Sequence, residues 1–391
     1  SEPLLDWLDL YGKAKGFRRD EDYDDYDERT DFSLFIMQKG IEFEAAVAKH
    51  LSTILPMQTV LEEGDRGSDL EVSEKTVTAM ESGTPLIYQA VLRHDESRTY
   101  GIADFLVRSD KLRELFPGSI SEEEAAVGAP LLGGNPWHYR VIDAKFTTLH
   151  FRAGGDLSPS GSAWGYMLQV YIYNRALGAI QGHTPGGGYL LGRKWEQTIN
   201  REQFRSNSCM DRLGFVSADT FSKSKGLLSQ SVEDACNWIR RVRTEGETWG
   251  VNPEPSLPEL RPNMGSTSDQ PWHHAKGEIN RELRDLTGLW QVGVEKRNAA
   301  NAAGTFRWDE EGYSPGDVGV KGVKTGPTLE KIIEINRNSS KQPILPSKLK
   351  EADQSWRRET PVEFYVDFET VSDLDDDFSN IPLSGGQPLI F

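Results

Sequence analysis

Asp143 and Lys145 stand two residues apart in the segment Trp137 to Phe146, whose apolar and aromatic residues predict a β-strand. Successive side chains of a strand face opposite sides, so this carboxylate and this ammonium would project from the same face. A carboxylate binds a hard divalent cation through oxygen, and a neighbouring lysine can position or help deprotonate an attacking water. The triplet alone is a weak signal, because an exposed ion pair explains it equally well.

A further acid, Glu44, lies in the segment Asp31 to Leu55, which has the apolar periodicity of a helix with Asp31 as its cap. The predicted apolar stripe consists of Met37, Ile41, Glu44, Ala48 and Leu51. Glu42 lies about 200° away around the helix and should face solvent. Helix phase therefore singles out Glu44 as the inward acid.

The elements between and after these acids continue an α/β pattern. Leu86 to Leu92 and Tyr100 to Arg108 predict two strands of a hairpin, and Asp104 lies within the second. Ser162 to Gly178 predicts a helix on which Gln169 and Tyr173 share a face at four-residue spacing.

Four segments in this order, GIEFEAAV, YGIADFLVR, YRVIDAKF and QVYIYNRALG, resemble the RecB-like branch of the PD-(D/E)xK nucleases over roughly residues 31 to 200. The resemblance implies a restriction-endonuclease-like α/β core, a mixed central sheet flanked by helices. The catalytic set that it implies is Glu44, Asp104, Asp143, Lys145, Gln169 and Tyr173.

Within that set, the resemblance implies Mg²⁺ or Mn²⁺ bound by Asp104, Asp143 and the Ala144 carbonyl, with Glu44 on the metal or on its water. Lys145 would orient the nucleophile. Gln169 would contact the water network or the scissile strand, and Tyr173 would support Gln169 or touch the nucleic-acid backbone, although helix packing explains Tyr173 as well.

Two features depart from the pattern of many RecB-like enzymes. The first helix carries no well-placed histidine, and His50 lies further along it, where we interpret it as structural. With only Cys209 and Cys236 in the chain, no iron–sulphur cluster is expected.

Aromatic and basic residues near the acids are candidates for stacking on bases and for binding phosphates. The candidates are Trp164, Tyr166, Arg193 and Lys194, with Trp137, Tyr139, Arg201 and Arg205 in the same region. Core aromatics and a solvated charged face are the alternative, because spacing does not distinguish a buried ring from an exposed one.

Composition limits the class of protein. The 391 residues predict two or three domains, and a formal charge of −17 argues against a basic protein that coats nucleic acid. Residues 1–30 are predicted to form an acidic N-terminal arm, with a nucleic-acid mimic or partner-binding strip as the alternative. The N-terminus lacks the pattern of a signal peptide and no segment is apolar enough to span a membrane, so we expect an intracellular protein, cytoplasmic or nucleoid-associated.

The predicted nuclease domain spans 31–250, and a Pro-rich stretch then opens a linker and helical region over 251–358. Within it, Leu286 to Gly304 faintly resembles a helix-hairpin-helix that contacts DNA, but Gln291 replaces the first glycine of that motif, and simple helical packing is the alternative. No Walker A sequence is present, so no ATP-driven motor is expected.

Residues 359–391 are predicted to begin a truncated RNase H-like domain. Val362 to Thr370 predicts a strand with Asp367 and Glu369 on one face, which resembles the first motif of the DEDD exonucleases. Only 22 residues follow Glu369, so we expect the natural chain to continue.

These features together predict a Mg²⁺- or Mn²⁺-dependent nuclease, with DNA as its substrate by family analogy. The expected partners are nucleic acid and a helicase or another DNA-processing protein, and no membrane. One alternative is a nuclease-like binding or scaffolding subunit of a larger complex. Another places the main activity in the exonuclease-like C-terminal segment.

Overall fold

The computed structural model describes residues 2–337, 358–367, 374 and 376–384. The chain divides into two compact units. The sheet unit contains residues 32–235 and the described residues from 367 onwards, and the helical unit contains the described residues of 1–31 and 236–366.

A mixed seven-stranded sheet forms the centre of the sheet unit and confirms the α/β class. Its strands are β1 (Met57–Thr59), β2 (Leu86–His94), β3 (Thr99–Arg108), β4 (Tyr139–Phe151), β5 (Gly187–Ile199), β6 (Glu202–Arg205) and β7 (Gly214–Ser217). They follow one another from β1 to β6 across the sheet, and β7 also pairs with β5. The pairs β1–β2 and β4–β5 are parallel, and the others are antiparallel. A separate two-stranded ladder joins β8 (Phe221–Ser222) to β9 (Gly226–Leu227).

Helices α2 (Phe32–Ser52), α3 (Leu70–Glu81), α4 (Ser109–Leu115) and α6 (Ala163–Gln181) pack on the sheet. The unit also contains α5 (Glu122–Ala125) and the start of α7 (Leu228–Glu245), which continues into the helical unit from Cys236. Period-2 alternation divides β4 between two cores: Ile142 packs in the cluster of α2, and Val141 packs in a cluster with α6. No helix in the described part of the chain is long and apolar enough to cross a membrane.

The buried stripe of α2 differs from the predicted one. Ala48 and Leu51 of the predicted stripe are buried, but Phe43 and Val47 complete the buried stripe, and Met37 and Ile41 are more than half exposed. Both sets have helical spacing, so periodicity alone did not fix which one faces the core. Glu44, half-buried, lies at the margin of the buried stripe.

Residues 376–384 pack against the sheet unit and form what we call the C-terminal clasp. Phe378 inserts beside Phe43 and Phe146, with ring centroids 5.7 and 5.2 Å away. Arg193 of β5 forms an ion pair of 2.5 Å with Asp376. Because Phe378 is 5% exposed, the clasp contributes to the hydrophobic core.

The helical unit contains α1 (Pro3–Trp7), α8 (His273–Leu283), α9 (Val294–Ala302) and α10 (Thr325–Arg337). Leu4 and Trp7 are fully buried in one core with Trp272. The carboxylate of Asp20 accepts hydrogen bonds from the backbone N–H groups at the start of α8. Leu4, Trp7 and Asp20 therefore tie the first part of the predicted acidic arm to this unit, whereas none of residues 21–30 is buried.

The segment with the faint helix-hairpin-helix resemblance begins after α8, which ends at Leu283. Its first part, Leu286–Gly288, forms a short 3₁₀ turn. Gln291 has a φ of 69°, the left-handed conformation that glycine favours. A helix-hairpin-helix contact with DNA stays a prediction.

Residues 358–367 form no strand and are exposed, which corrects the predicted strand over its described part. Phe364 and Tyr365 are 86% and 90% exposed, so this segment lacks the packing that stabilises a strand. The remainder of the predicted strand lies outside the described residues.

We expect Phe378→Ala to lower the free energy of unfolding by about 3 kcal/mol, because it removes a buried ring between two others. Urea denaturation followed by circular dichroism measures the change. Phe32→Ala is the control, since that ring is 63% exposed and should change stability by no more than about 0.5 kcal/mol. Equal effects of the two substitutions would contradict a core role for the clasp.

Candidate active site

Asp104 and Asp143 stand opposite each other where the antiparallel ladder of β3 and β4 ends. The last pair of that ladder is Phe105 with Ile142, so the two aspartates occupy the next position. The backbone N–H of Ala144 donates a hydrogen bond of 2.7 Å to the Asp104 Oδ2 atom. The Asp104 carboxylate thus accepts the Ala144 N–H where the ladder has ended. The side chains of Asp104 and Asp143 are therefore neighbours.

Lys145 balances part of this negative charge. Its Nζ atom lies 2.7 Å from Asp143 Oδ2, and the Asp143 side chain is fully buried. Neither oxygen of Asp143 meets hydrogen-bond geometry with a donor in the described part of the chain. The ion pair with Lys145 is therefore the main compensation for burying this carboxylate.

The ionisation of these groups reflects burial and mutual repulsion. Burial raises the pKa of Asp104 well above its usual range, and the charges of Asp143 and Glu44 raise it further. Burial also raises the pKa of Asp143, although Lys145 opposes the shift. Burial alone would lower the pKa of Lys145, but the two aspartates outweigh it and raise that pKa. Three acids around one lysine leave excess negative charge in a buried site.

Glu44 reaches this cluster from α2. Burial raises the pKa of its carboxyl, and hydrogen bonds from Gln89 and Tyr88 oppose that shift. The charges of Lys145 and Asp143 also act on Glu44. Sequence reasoning missed Tyr88 and Gln89, since neither belongs to a motif and no spacing signal marks them.

Gln169 and Tyr173 of α6 form a linked pair. Gln169 Nε2 donates a hydrogen bond of 2.6 Å to the Tyr173 hydroxyl. Burial raises the pKa of Tyr173, and the charges of Asp143 and Asp104 add to the shift. The ring lies against β3 at Gly101, where a Cβ atom would come within 2.3 Å of it. Glycine at this strand position makes room for the ring that supports Gln169.

The predicted polymer contacts separate into two groups. Trp164 is buried in the core beside α6, and Trp137 and Tyr139 are buried as well, which corrects their assignment as stacking platforms. Arg193 is also buried and donates hydrogen bonds to Leu383 O and Asn380 Oδ1 of the clasp, so it is a core anchor.

The other candidates are Tyr166, Lys194, Arg201 and Arg205, of which the two arginines are exposed. Tyr166 is half-buried, and its ring centre lies 5.5 Å from Lys145 Nζ, beside the acids. Lys194 is half-buried on β5. Of the proposed second acid pair, Asp367 lies in the exposed segment and Glu369 lies outside the described residues.

The donor chemistry of the site fits a hard divalent cation, because carboxylate oxygens are the ligands that Mg²⁺ and Mn²⁺ prefer. Buried carboxylates with raised pKa values are also groups that a cation would stabilise. Among the described residues, however, no three His, Cys, Asp or Glu side chains form a group that could hold a metal. The site therefore fits a cation that one or two of these acids bind directly. Water or backbone oxygen would complete its coordination shell.

Comparison of the chain with models of protein families, with curated proteins and with solved structures gives no match. The site is therefore interpreted from its own residues and from the motif resemblance alone.

We expect Asp104→Asn to stabilise the metal-free protein at pH 7.5 by about 1 kcal/mol, because it removes a buried carboxylate that faces another. The folded pKa of Asp104 lies above its unfolded value near 4, so its contribution to stability is full in acid and is lost as the pH rises. The advantage of the variant should therefore be larger at pH 7.5 than at pH 4.5.

Urea denaturation with EDTA at both pH values measures this difference. Asp219→Asn, at an exposed position, is the control. A stability gain of equal size at both pH values would show that repulsion among these acids is not its cause.

Proposed function

We propose that the sheet unit hydrolyses phosphodiester bonds in nucleic acid and requires Mg²⁺ or Mn²⁺ to do so. The observation that carries the proposal is the convergence of Asp104, Asp143 and Lys145, from two neighbouring strands, with Glu44 close enough to perturb their ionisation. Strongly perturbed buried acids around a lysine are typical of functional sites, because such charge is costly to bury for structure alone.

The proposed roles differ among the residues. Asp104 and Asp143 would hold the cation, and Glu44 would act on it through a bound water. When bound, such a cation supplies positive charge for the phosphate and makes a coordinated water more acidic. The Ala144 N–H fixes the orientation of Asp104, so that carboxylate is held in place before substrate arrives.

Lys145 would orient the attacking water and offset charge on the phosphate. Its raised pKa keeps it an ammonium at neutral pH, which favours a hydrogen-bond donor over a general base. Asp143, 2.7 Å away, restricts the position of the ammonium. Gln169, supported by Tyr173, offers an amide beside the acids for contact with water or the scissile strand.

DNA is the proposed substrate, and the motif resemblance supports that choice. The formal charge of −17 means that the polymer must approach through a local path rather than by attraction to the whole chain. Tyr166 lies beside Lys145 and is the proposed contact with the polymer at the site.

The test uses the full chain with labelled DNA and Mn²⁺, and compares it with Asp143→Asn and Lys145→Met. We expect each substitution to lower the cleavage rate by about 100-fold or more, because each removes a group that acts on the nucleophile or the phosphate. EDTA should abolish cleavage by the parent.

Asp219→Asn is the matched control at an exposed position and should cleave like the parent. Circular dichroism of each variant separates loss of catalysis from loss of folding. If folded Asp143→Asn cleaves as fast as the parent, the proposal is wrong. A parent that binds DNA but does not cut it with either cation would support the non-catalytic binding role instead.

A further inference from the structure

We infer that Tyr88 and Gln89 of β2 act together as a positioning pair that aims the Glu44 carboxylate at the Asp143 and Lys145 site. The inference rests on the proposed function and adds two residues that no motif identifies. Its basis is the convergence of two adjacent strand residues on one carboxylate of a different element.

Adjacent residues of a regular strand point to opposite faces of the sheet. Tyr88 packs on the α2 side, where its ring stacks on Phe105 at 5.4 Å, and its hydroxyl hydrogen-bonds to Glu44. Gln89 should therefore point away from α2. Its amide nevertheless donates to Glu44 Oε1.

The backbone explains this exception. Gln89 has a φ of 56°, in the left-handed region that a side chain with a Cβ atom disfavours. The ladder with β3 is interrupted at Gln89, which stands opposite Asp104. The pairs on either side are Tyr88 with Phe105 and Ala90 with Ala103. The left-handed conformation of Gln89 therefore occurs beside Asp104. It turns the Gln89 side chain toward Glu44.

Such a conformation costs about 1–3 kcal/mol and persists only where the surroundings enforce it. Glycine would occupy it without that cost, so stability alone does not account for glutamine here. Among the described residues, the side chain contacts Glu44 and the Tyr88 hydroxyl, which itself contacts Glu44. Glutamine at this position therefore holds Glu44 in one orientation.

The decisive variant is Gln89→Gly, which suits the left-handed backbone conformation and removes the side chain that donates to Glu44. We expect its melting temperature to equal or exceed that of the parent, because the left-handed conformation suits glycine. We expect its Mn²⁺ dissociation constant, measured by isothermal titration calorimetry, to rise about tenfold, as for loss of other partners that orient a ligand. DNA cleavage should then need correspondingly more Mn²⁺.

Arg98→Gly is the matched control. Arg98 has a φ of 51° in the turn that joins β2 and β3, so the substitution relieves the same kind of strain without touching Glu44. It should leave Mn²⁺ binding unchanged. Tyr88→Phe removes only the other donor and should weaken Mn²⁺ binding in the same direction.

The outcomes separate this inference from the proposed function. If the parent binds Mn²⁺ and cuts DNA, and folded Gln89→Gly binds Mn²⁺ as tightly, the positioning role alone is overturned. A fall in the melting temperature of Gln89→Gly that accounts for weaker binding would assign Gln89 a structural role and also overturn it. A parent that neither binds Mn²⁺ nor cuts overturns the proposed function, and this inference with it.

Discussion

The structure of the sheet unit depends on one unfavourable juxtaposition, the burial of Asp104 and Asp143 opposite each other at the end of the β3–β4 ladder. Like charges directly across an antiparallel pair repel, and burial increases the cost. Lys145 and the Ala144 N–H offset part of it. The rest of the unit must hold the strands in place against the remaining repulsion.

The aromatic packing around α2 does much of this. Phe43 precedes Glu44 and Phe146 follows Lys145, and both rings pack with Phe378 of the clasp. Side chains alternate between the two faces of β4, so the core residue Phe146 comes directly after Lys145. On α2, the core residue Phe43 comes directly before Glu44. Movement of this aromatic cluster would displace Glu44 and Lys145 together, so the clasp links a distant segment of the chain to the site.

The sequence predicts much of the arrangement of the site residues. The features that it does not predict depend on contacts between distant parts of the chain. Period-2 spacing places Asp143 and Lys145 on one face, and the apolar pattern places Asp104 within a strand, but the pairing of that strand with β4 is seen only in the structure. Burial is harder to predict from the sequence. Arg193 is of a residue type that binds phosphate, but its ion-pair partner Asp376 is 183 residues away in sequence. The left-handed conformation of Gln89 leaves no mark in composition or periodicity, because only the interrupted ladder produces it.

Departures from local rules converge on the same part of the sheet. β3 has a glycine, Gly101, where a ring presses against the strand; β2 has a left-handed glutamine; and two acids oppose each other across β3 and β4. Each departure lowers stability by itself, and a chain selected only for stability would replace all three with ordinary strand residues. Their shared location is best explained by a common constraint, the placement of Glu44, Asp104, Asp143 and Lys145 in one buried site. Departures from regular strand geometry around one site are therefore an argument for chemistry there, independent of any motif.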